Sequence, residues 1–433
     1  MPGPFTHAAR LAAARMSALA AGGGSALALY SPSSAEARCR GAPQTVTPAT
    51  VEKHRVVVLG GGSAGLSVAA QLMRKLGKVN ADVAIIEPGE YHYYRPGWTM
   101  AGAGIVPIER SRRPMEDVMP KGATWVKARA SKLDPSRNRV VLDNGGVLEY
   151  EYLVLAPGME LDLSRIKGLQ EALDAHDGVY TIWSYNQAAH VWDGIRNLTS
   201  GVALFTQPKQ SRGCGGAPQK IMWLAEDFWR TKTLVRDAVH VEFVTGRDAL
   251  FPIPKYAKSL ADIGAERGVY VDYDTELVAV DGPRRLATFQ QPSGMRVTRH
   301  FDLLVVTPHM GPPAIVRDSP LAAGNGFADV DIHTLQHAKY PRVFALGDCA
   351  NLPTSKTAAA ITAQAPVVVF NILASMGKKG FSETAGQERI ADRGKPLSLA
   401  RYDGYSSSPI LTRRGGLILA EFKYGGGGKE TFP

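Results

Sequence analysis

The chain has 433 residues, 45% hydrophobic and 21% charged, enough for two or three domains with large cores and neither disordered nor fibrous. Its net charge of +10 comes with no basic cluster interleaved with aromatics, which argues against a nucleic-acid partner. No apolar run of about 18 residues is seen, so no transmembrane helix is expected, and three cysteines are too few for a secreted disulfide framework.

Residues 1–50 are rich in Ala, Ser and Gly, with spaced Arg10, Arg15, Arg38 and Arg40 against the lone acid Glu36. Without a long apolar centre this leader reads as an organellar transit peptide, mitochondrial rather than plastid, or else as a disordered tail. Cys39 then leaves with the leader, and Cys214 and Cys349 remain in a reducing compartment.

A first domain begins at 51–165. Arg55–Gly60 is a short apolar run, Ala64–Leu76 has helical spacing and Ala81–Glu87 is again apolar and β-rich, which predicts a βαβ unit. Between the first strand and the helix stands Gly60-Gly61-Gly62-Ser63-Ala64-Gly65. Gly60 allows the tight turn, Gly62 the approach of a pyrophosphate and Gly65 close packing of helix on strand, while helix N-terminal amides hold the phosphate charge. Glu87 ends the next strand where a carboxylate takes ribose hydroxyls. Arg139–Asp143 and Val147–Glu151 flank the turn Asp143-Asn144-Gly145-Gly146, and the buried strand Tyr152–Ala156 follows. It ends in Ala156-Pro157-Gly158, suited to backbone passing close to a cofactor or to a plain turn.

Residues 166–300 repeat the α/β layout: strand Val202–Phe205, helix from Pro218 to Thr231, strand Val239–Thr245, helix near Lys255–Arg267. The phosphate-loop glycines are missing here. After Val202–Phe205 comes Thr206-Gln207-Pro208-Lys209-Gln210, bulky and proline-interrupted, so NAD(P)H is not the expected donor. In its place stands Arg212-Gly213-Cys214-Gly215-Gly216-Ala217-Pro218, with Pro218 in the first turn of a helix whose apolar stripe is Ile221, Leu224, Ala225 and Phe228. A cysteine there, with Arg212 and Lys220 near, is expected to be a thiolate nucleophile of lowered pKa; the plainer reading is a small buried cysteine in a Gly-rich turn.

Residues 301–376 return to the first domain through Phe301–Thr307, Val343–Gly347 and a helix from Thr357 to Met376 that Pro366 should kink. Asp348, after the strand Val343–Gly347, is placed for the ribityl hydroxyls of FAD, and Lys356 with the dipole of the following helix suits negative charge on a reduced flavin ring. Residues 377–401 read as a polar loop, and 402–433 as a C-terminal segment with one strand, Gly416–Phe422. The fold class is α/β: two Rossmann-like dinucleotide-binding domains, as in FAD/NAD(P)-disulfide reductases, plus that segment. No metal ligands are assigned.

Longer strings point further: His92-Tyr93-Tyr94-Arg95-Pro96, Gly213–Lys220 (GCGGAPQK), Thr334-Leu335-Gln336-His337, Asp348–Ala360 (DCANLPTSKTAAA), Tyr402-Asp403-Gly404-Tyr405 and Glu430-Thr431-Phe432-Pro433. Through them the chain resembles sulfide:quinone oxidoreductases of the mitochondrial type, from Arg55 to Pro433. The resemblance implies FAD contacts at Ser63, Ala64, Glu87, Arg95, Ala130, Asp348 and Lys356, and a redox-active Cys214. It also implies hydrogen sulfide as substrate, ubiquinone as electron acceptor and a small sulfane-sulfur acceptor such as glutathione or sulfite. The implied place is peripheral, on the matrix side of the inner mitochondrial membrane.

In that family sulfide opens a disulfide between two cysteines, a persulfide forms and an electron pair passes through the flavin. Here the stretch expected to hold the second cysteine reads Ser406-Ser407-Ser408-Pro409, with Ser408 where the sulfur belongs. A hydroxyl cannot form a disulfide or carry sulfane sulfur. Cys349 is a possible substitute, although beside Asp348 it reads as a packed residue. The chain also stops at Pro433, where the family continues into an amphipathic membrane-docking segment. The same residues also allow a flavoprotein that reduces quinones with NADH, or a non-catalytic relative that binds FAD and a thiol.

Overall fold

The computed structural model describes residues 50–210, 213–377 and 399–426. The leader read as a transit peptide, Arg212, most of the stretch read as a polar loop and the Glu430–Pro433 string lie outside the described residues.

The first sheet is built on the strand Val51–Leu59, which runs parallel to Val83–Ile86 on one side and Val147–Leu155 on the other. Thr124–Val126 extends it beyond Val83–Ile86, Val343–Ala345 pairs parallel to Val147–Leu155, and Arg139–Leu142 with Ala130–Asp134 add an antiparallel meander. The expected strands 147–151 and 152–156 are one element. Its residues alternate between buried and half-buried through Glu151 and are then all buried from Tyr152, as the strand passes from meander to sheet centre. The turn before it is the expected one: Gly145 has φ +84°, and the Asn144 side chain accepts the Gly146 N–H at 3.0 Å.

The helices Ser63–Asn80 and Ala358–Ser375 pack together over this sheet. Ala358–Ser375 runs as one element with Pro366 inside it, capped by the Thr357 hydroxyl, which accepts the Ala360 N–H at 3.1 Å. Contrary to the expectation from apolar runs, it is long and apolar enough to cross a membrane; half of it is buried in the protein, however, and its polar side chains serve the core. Gln364 accepts the Gly347 N–H at 2.8 Å, and Asn371 donates to the Thr334 and Ala400 carbonyls at 2.9 and 3.1 Å.

The second sheet is five parallel strands in the order Val179–Tyr180, Leu303–Val305, Gly201–Gln207, Val239–Thr245 and Tyr270–Asp272. Leu303–Val305 is thus an inner strand of this sheet, and the return to the first domain comes after it rather than at residue 301. An antiparallel meander, Glu276–Asp281, Leu286–Gln290 and Arg296–His300, packs beside this sheet. The helix Ala217–Phe228 is buried on nearly every side, including Met222, Trp223, Glu226 and Asp227, so the expected single stripe is too narrow. Beyond the stripe, the C-terminal hairpin covers it.

That hairpin pairs Ser406–Arg413 with the expected strand Gly416–Phe422, placing Ser408 opposite Ala420. Its first strand goes unrecognised in the sequence because Ser-Ser-Ser-Pro carries loop chemistry; burial of Ser406, Ser408 and Ile410 against the helix overrides it.

Candidate functional site

Each fingerprint glycine has its own steric reason. At Gly60, φ is +107° and a Cβ would stand 2.4 Å from the Ala156 carbonyl oxygen; at Gly65 it would stand 1.9 Å from the Gly60 oxygen. At Gly62 a Cβ would meet nothing within 4 Å, leaving that face of the loop open before the helix that begins with Ser63 and Ala64. The Glu87 carboxylate sits on the same loop, accepting the Gly61 N–H at 2.8 Å and the Gly89 N–H at 2.7 Å. Gly158, with φ +79°, also has open space where a side chain would point. An open-faced glycine loop at a helix N-terminus, with a carboxylate at the next strand end, fits a dinucleotide such as FAD.

Asp348 follows the strand Val343–Ala345 in the turn Gly347–Cys349. Burial pushes its carboxyl above the usual range, and the positive charges of Lys356 and Arg95 oppose that, so the structure brings these three predicted residues together. The Lys356 ammonium donates to the Ala350 carbonyl and lies 5.1 Å from the Phe327 ring centre. Arg95 is exposed ahead of the helix Pro96–Gly102, 5.8 Å from the Trp98 ring centre. Ala130 is buried at the start of Ala130–Asp134, among the core side chains of the first domain.

Cys349 does not substitute for the missing sulfur. Its thiol is fully buried, 3.4 Å from the Leu155 carbonyl and 3.5 Å from that of Leu346, and burial pushes its pKa up to about 12. It is a packed core thiol, inert to solutes.

Cys214 is half-buried in the loop before the helix Ala217–Phe228, its carbonyl accepting the Ala217 N–H at 3.1 Å. Its Sγ lies 3.3 Å from the Ser408 Oγ, across 194 residues of sequence. The glycines around it are close approaches: a Cβ on Gly213 would stand 3.0 Å from the Trp183 ring and 3.3 Å from the Met310 sulfur, and one on Gly216 would stand 2.6 Å from the Ser408 Oγ. Lys220 folds back, its Cε 3.5 Å from that Gly216 position. Ser406, two residues before Ser408, is hydrogen-bonded to the Thr357 hydroxyl at 2.8 Å and donates to the Ser355 carbonyl at 3.3 Å, fixing the strand beside Lys356.

Two residues at this site were not anticipated. Gln207 donates to the Gly215 carbonyl at 3.3 Å, and Arg247 places Nη1 3.7 Å from the Gly215 Cβ position. In the sequence Gln207 reads only as bulk that blocks a pyrophosphate. Arg247 follows the strand Val239–Thr245, and the parallel pairing of that strand with Gly201–Gln207 brings their C-terminal ends together, a position no local pattern marks.

Residues 54–365 match the pyridine nucleotide-disulphide oxidoreductase family model. The chain is 42% identical to the mitochondrial sulfide:quinone oxidoreductase of Dictyostelium discoideum, over 88% of this chain and 80% of that one. A chain in the mitochondrial ATP synthase of Tetrahymena thermophila has the same fold, with TM-score 0.74, 23% identity and 88% and 89% of the two chains covered. The sulfide:quinone oxidoreductase of Aquifex aeolicus also shares it, with TM-score 0.67, 19% identity and coverage of 85% and 83%. On the level of identity and the span it covers, the chain belongs to the family of mitochondrial sulfide:quinone oxidoreductases.

Proposed function

We propose that this chain is a mitochondrial flavoenzyme that oxidises hydrogen sulfide and delivers the electrons to ubiquinone, with Cys214 carrying the sulfur. The observation that carries the reading is the contact of 3.3 Å between Cys214 and Ser408, which sets the one accessible thiol among the described residues against the position where the family's resemblance places a second sulfur. Bound FAD would supply the two-electron relay between sulfur and quinone. Gly60, Gly62, Ser63, Ala64 and Gly65 would hold its pyrophosphate, Glu87 its ribose and Asp348 its ribityl chain, with Arg95, Ala130, Gly158 and Lys356 completing the site.

In the sulfur step the Cys214 thiolate and hydrosulfide join through a new S–S bond. One proton is released, and the two electrons lost by sulfur reduce the quinone, which takes up two protons. A small nucleophile such as glutathione or sulfite then attacks the outer sulfur and leaves with it, restoring the thiolate. Ser408 cannot hold sulfur; its hydroxyl hydrogen-bonds the sulfur of Cys214, so the cycle runs on one thiol. We place the enzyme peripherally on the matrix side of the inner membrane.

Sulfide-driven quinone reduction by the native enzyme and by Ser408→Cys tests this. Measurable turnover in the native enzyme and a gain of about tenfold or more in the variant are expected. Sulfide oxidation by neither would sink the proposal.

A further inference from the structure

Cys214 opens a tight turn whose two corners are Gly215 and Gly216. The Ala217 N–H closes it on the Cys214 carbonyl at 3.1 Å, and Gly216 has φ −88° and ψ −18°. Those angles belong to the second corner of a type I turn, about −90° and 0°. With glycine at both corners a second form is within reach. Reversing the central peptide gives a type II turn, which needs positive φ at the second corner, and glycine takes that sign freely.

The two forms differ in which end of the Gly215–Gly216 peptide faces the sulfur. A side-chain position on the second corner lies opposite the central carbonyl in a type I turn, whereas in type II the two collide, hence the need for glycine there. At Gly216 that position stands 2.6 Å from the Ser408 Oγ, which itself lies 3.3 Å from the Cys214 Sγ. The turn thus presents the Gly216 N–H on the side of Ser408 and the sulfur, and the Gly215 carbonyl on the other. Reversal would exchange them and set a carbonyl dipole against a negatively charged sulfur.

On the far side, the Gly215 carbonyl accepts from the Gln207 Nε2 at 3.3 Å. Gln207 ends the strand Gly201–Gln207 and is 2% exposed, and its Oε1 is buried with no hydrogen-bond partner. A buried amide with one polar atom unsatisfied works against folding, and the bond this one does make goes to the turn. We propose that Gln207 is a positioning residue for the sulfur chemistry: it holds the Gly215 carbonyl away from Cys214, so that an N–H joins the dipole of the helix Ala217–Phe228 in facing the thiolate and its persulfide. The inference rests on the reading of Cys214 as the sulfur carrier. Without the Gln207 donor the peptide reverses and the anion loses that support.

Gln207→Met keeps the length and bulk of the side chain and removes its amide. Alkylation of Cys214 by iodoacetamide in the FAD-loaded enzyme, with mass mapping of the adduct, reads the thiol directly and stands apart from sulfide turnover. At pH 7 the variant is expected to react about threefold or more slowly than the native enzyme, and the two rates should converge to within about twofold at pH 9.5, where less support is needed to ionise the thiol. A packing defect alone would change access to the sulfur and alter the rate equally at both pH values. Crystal structures supply the second measurement: Gly216 is expected at negative φ in the native enzyme and at positive φ in the variant. Equal rates at pH 7, an equal slowing at both pH values, negative φ at Gly216 in the variant, or a native structure with the Gly215 carbonyl turned to the sulfur would overturn the proposal.

Discussion

At the scale of single residues, the contact of 3.3 Å between Cys214 and Ser408 concentrates what is unusual about this chain. A disulfide needs its sulfurs about 2.05 Å apart with a defined dihedral, so Ser408→Cys requires a small local closure. Loss of free Cys214 thiol on oxidation of that variant, counted by alkylation and mass mapping, is the expected result. The two thiols among the described residues differ in exposure, so alkylation at pH 8 should label Cys214 and spare Cys349, which is fully buried. The pKa of Cys349 is raised from 9.0 to about 12, so the thiol favours the folded state while neutral. Its contribution is complete below the ordinary value of 9.0 and is lost as pH rises towards 12. Cys349→Ala should therefore shorten the alkaline decline in stability, measured as denaturant midpoint against pH, with sulfide oxidation retained. The steric needs at Gly60 and Gly65 were legible in the sequence because the fingerprint names both spacing and steric cause. The pairing of Cys214 with Ser408 was legible only through family resemblance, since no local rule joins residues so far apart.

Among the elements, the C-terminal hairpin controls the site. It is tied to the helix Ala217–Phe228 and its neighbours: Arg267 donates to the Thr412 carbonyl, the Arg414 N–H donates to Asp227 at 3.0 Å, and the Arg414 side chain donates to the Ala103 carbonyl at 3.2 Å. Behind these contacts the fully buried Glu226 carboxylate is paired with Arg230 at 3.0 Å, Arg267 at 3.2 Å and Arg236 at 3.5 Å. Glu226→Gln removes the shared counter-charge and should cost about 3–5 kcal/mol in chemical denaturation. Gly216→Ala places a Cβ 2.6 Å from the Ser408 Oγ, so the strand must retreat from the sulfur; sulfide oxidation should fall about tenfold or more with FAD content unchanged. Little of this was legible beforehand. The strand Ser406–Arg413 carries loop-forming residues, and Glu226 and Asp227 resemble a solvated helix face until the hairpin covers them.

Over the whole molecule, the two-domain α/β architecture was readable because each half announces itself by an apolar strand, a helix and another strand in sequence. The division between them was not: Leu303–Val305 enters the second sheet by parallel pairing with strands about 100 or more residues earlier, which periodicity cannot reveal. The second domain keeps the sheet of a nicotinamide-binding domain while its loop after Gly201–Gln207 carries Pro208 and leads to Cys214. NADH should therefore leave the bound flavin oxidised in a stopped-flow mixing experiment, and rapid reduction would instead favour an NADH:quinone activity. The most direct measurement follows the flavin spectrum during anaerobic addition of sulfide to the native enzyme and to Cys214→Ala. Bleaching in the native enzyme and an unchanged spectrum in the variant are expected. Equal bleaching in both, or none in the native enzyme, would contradict a sulfur carrier at Cys214.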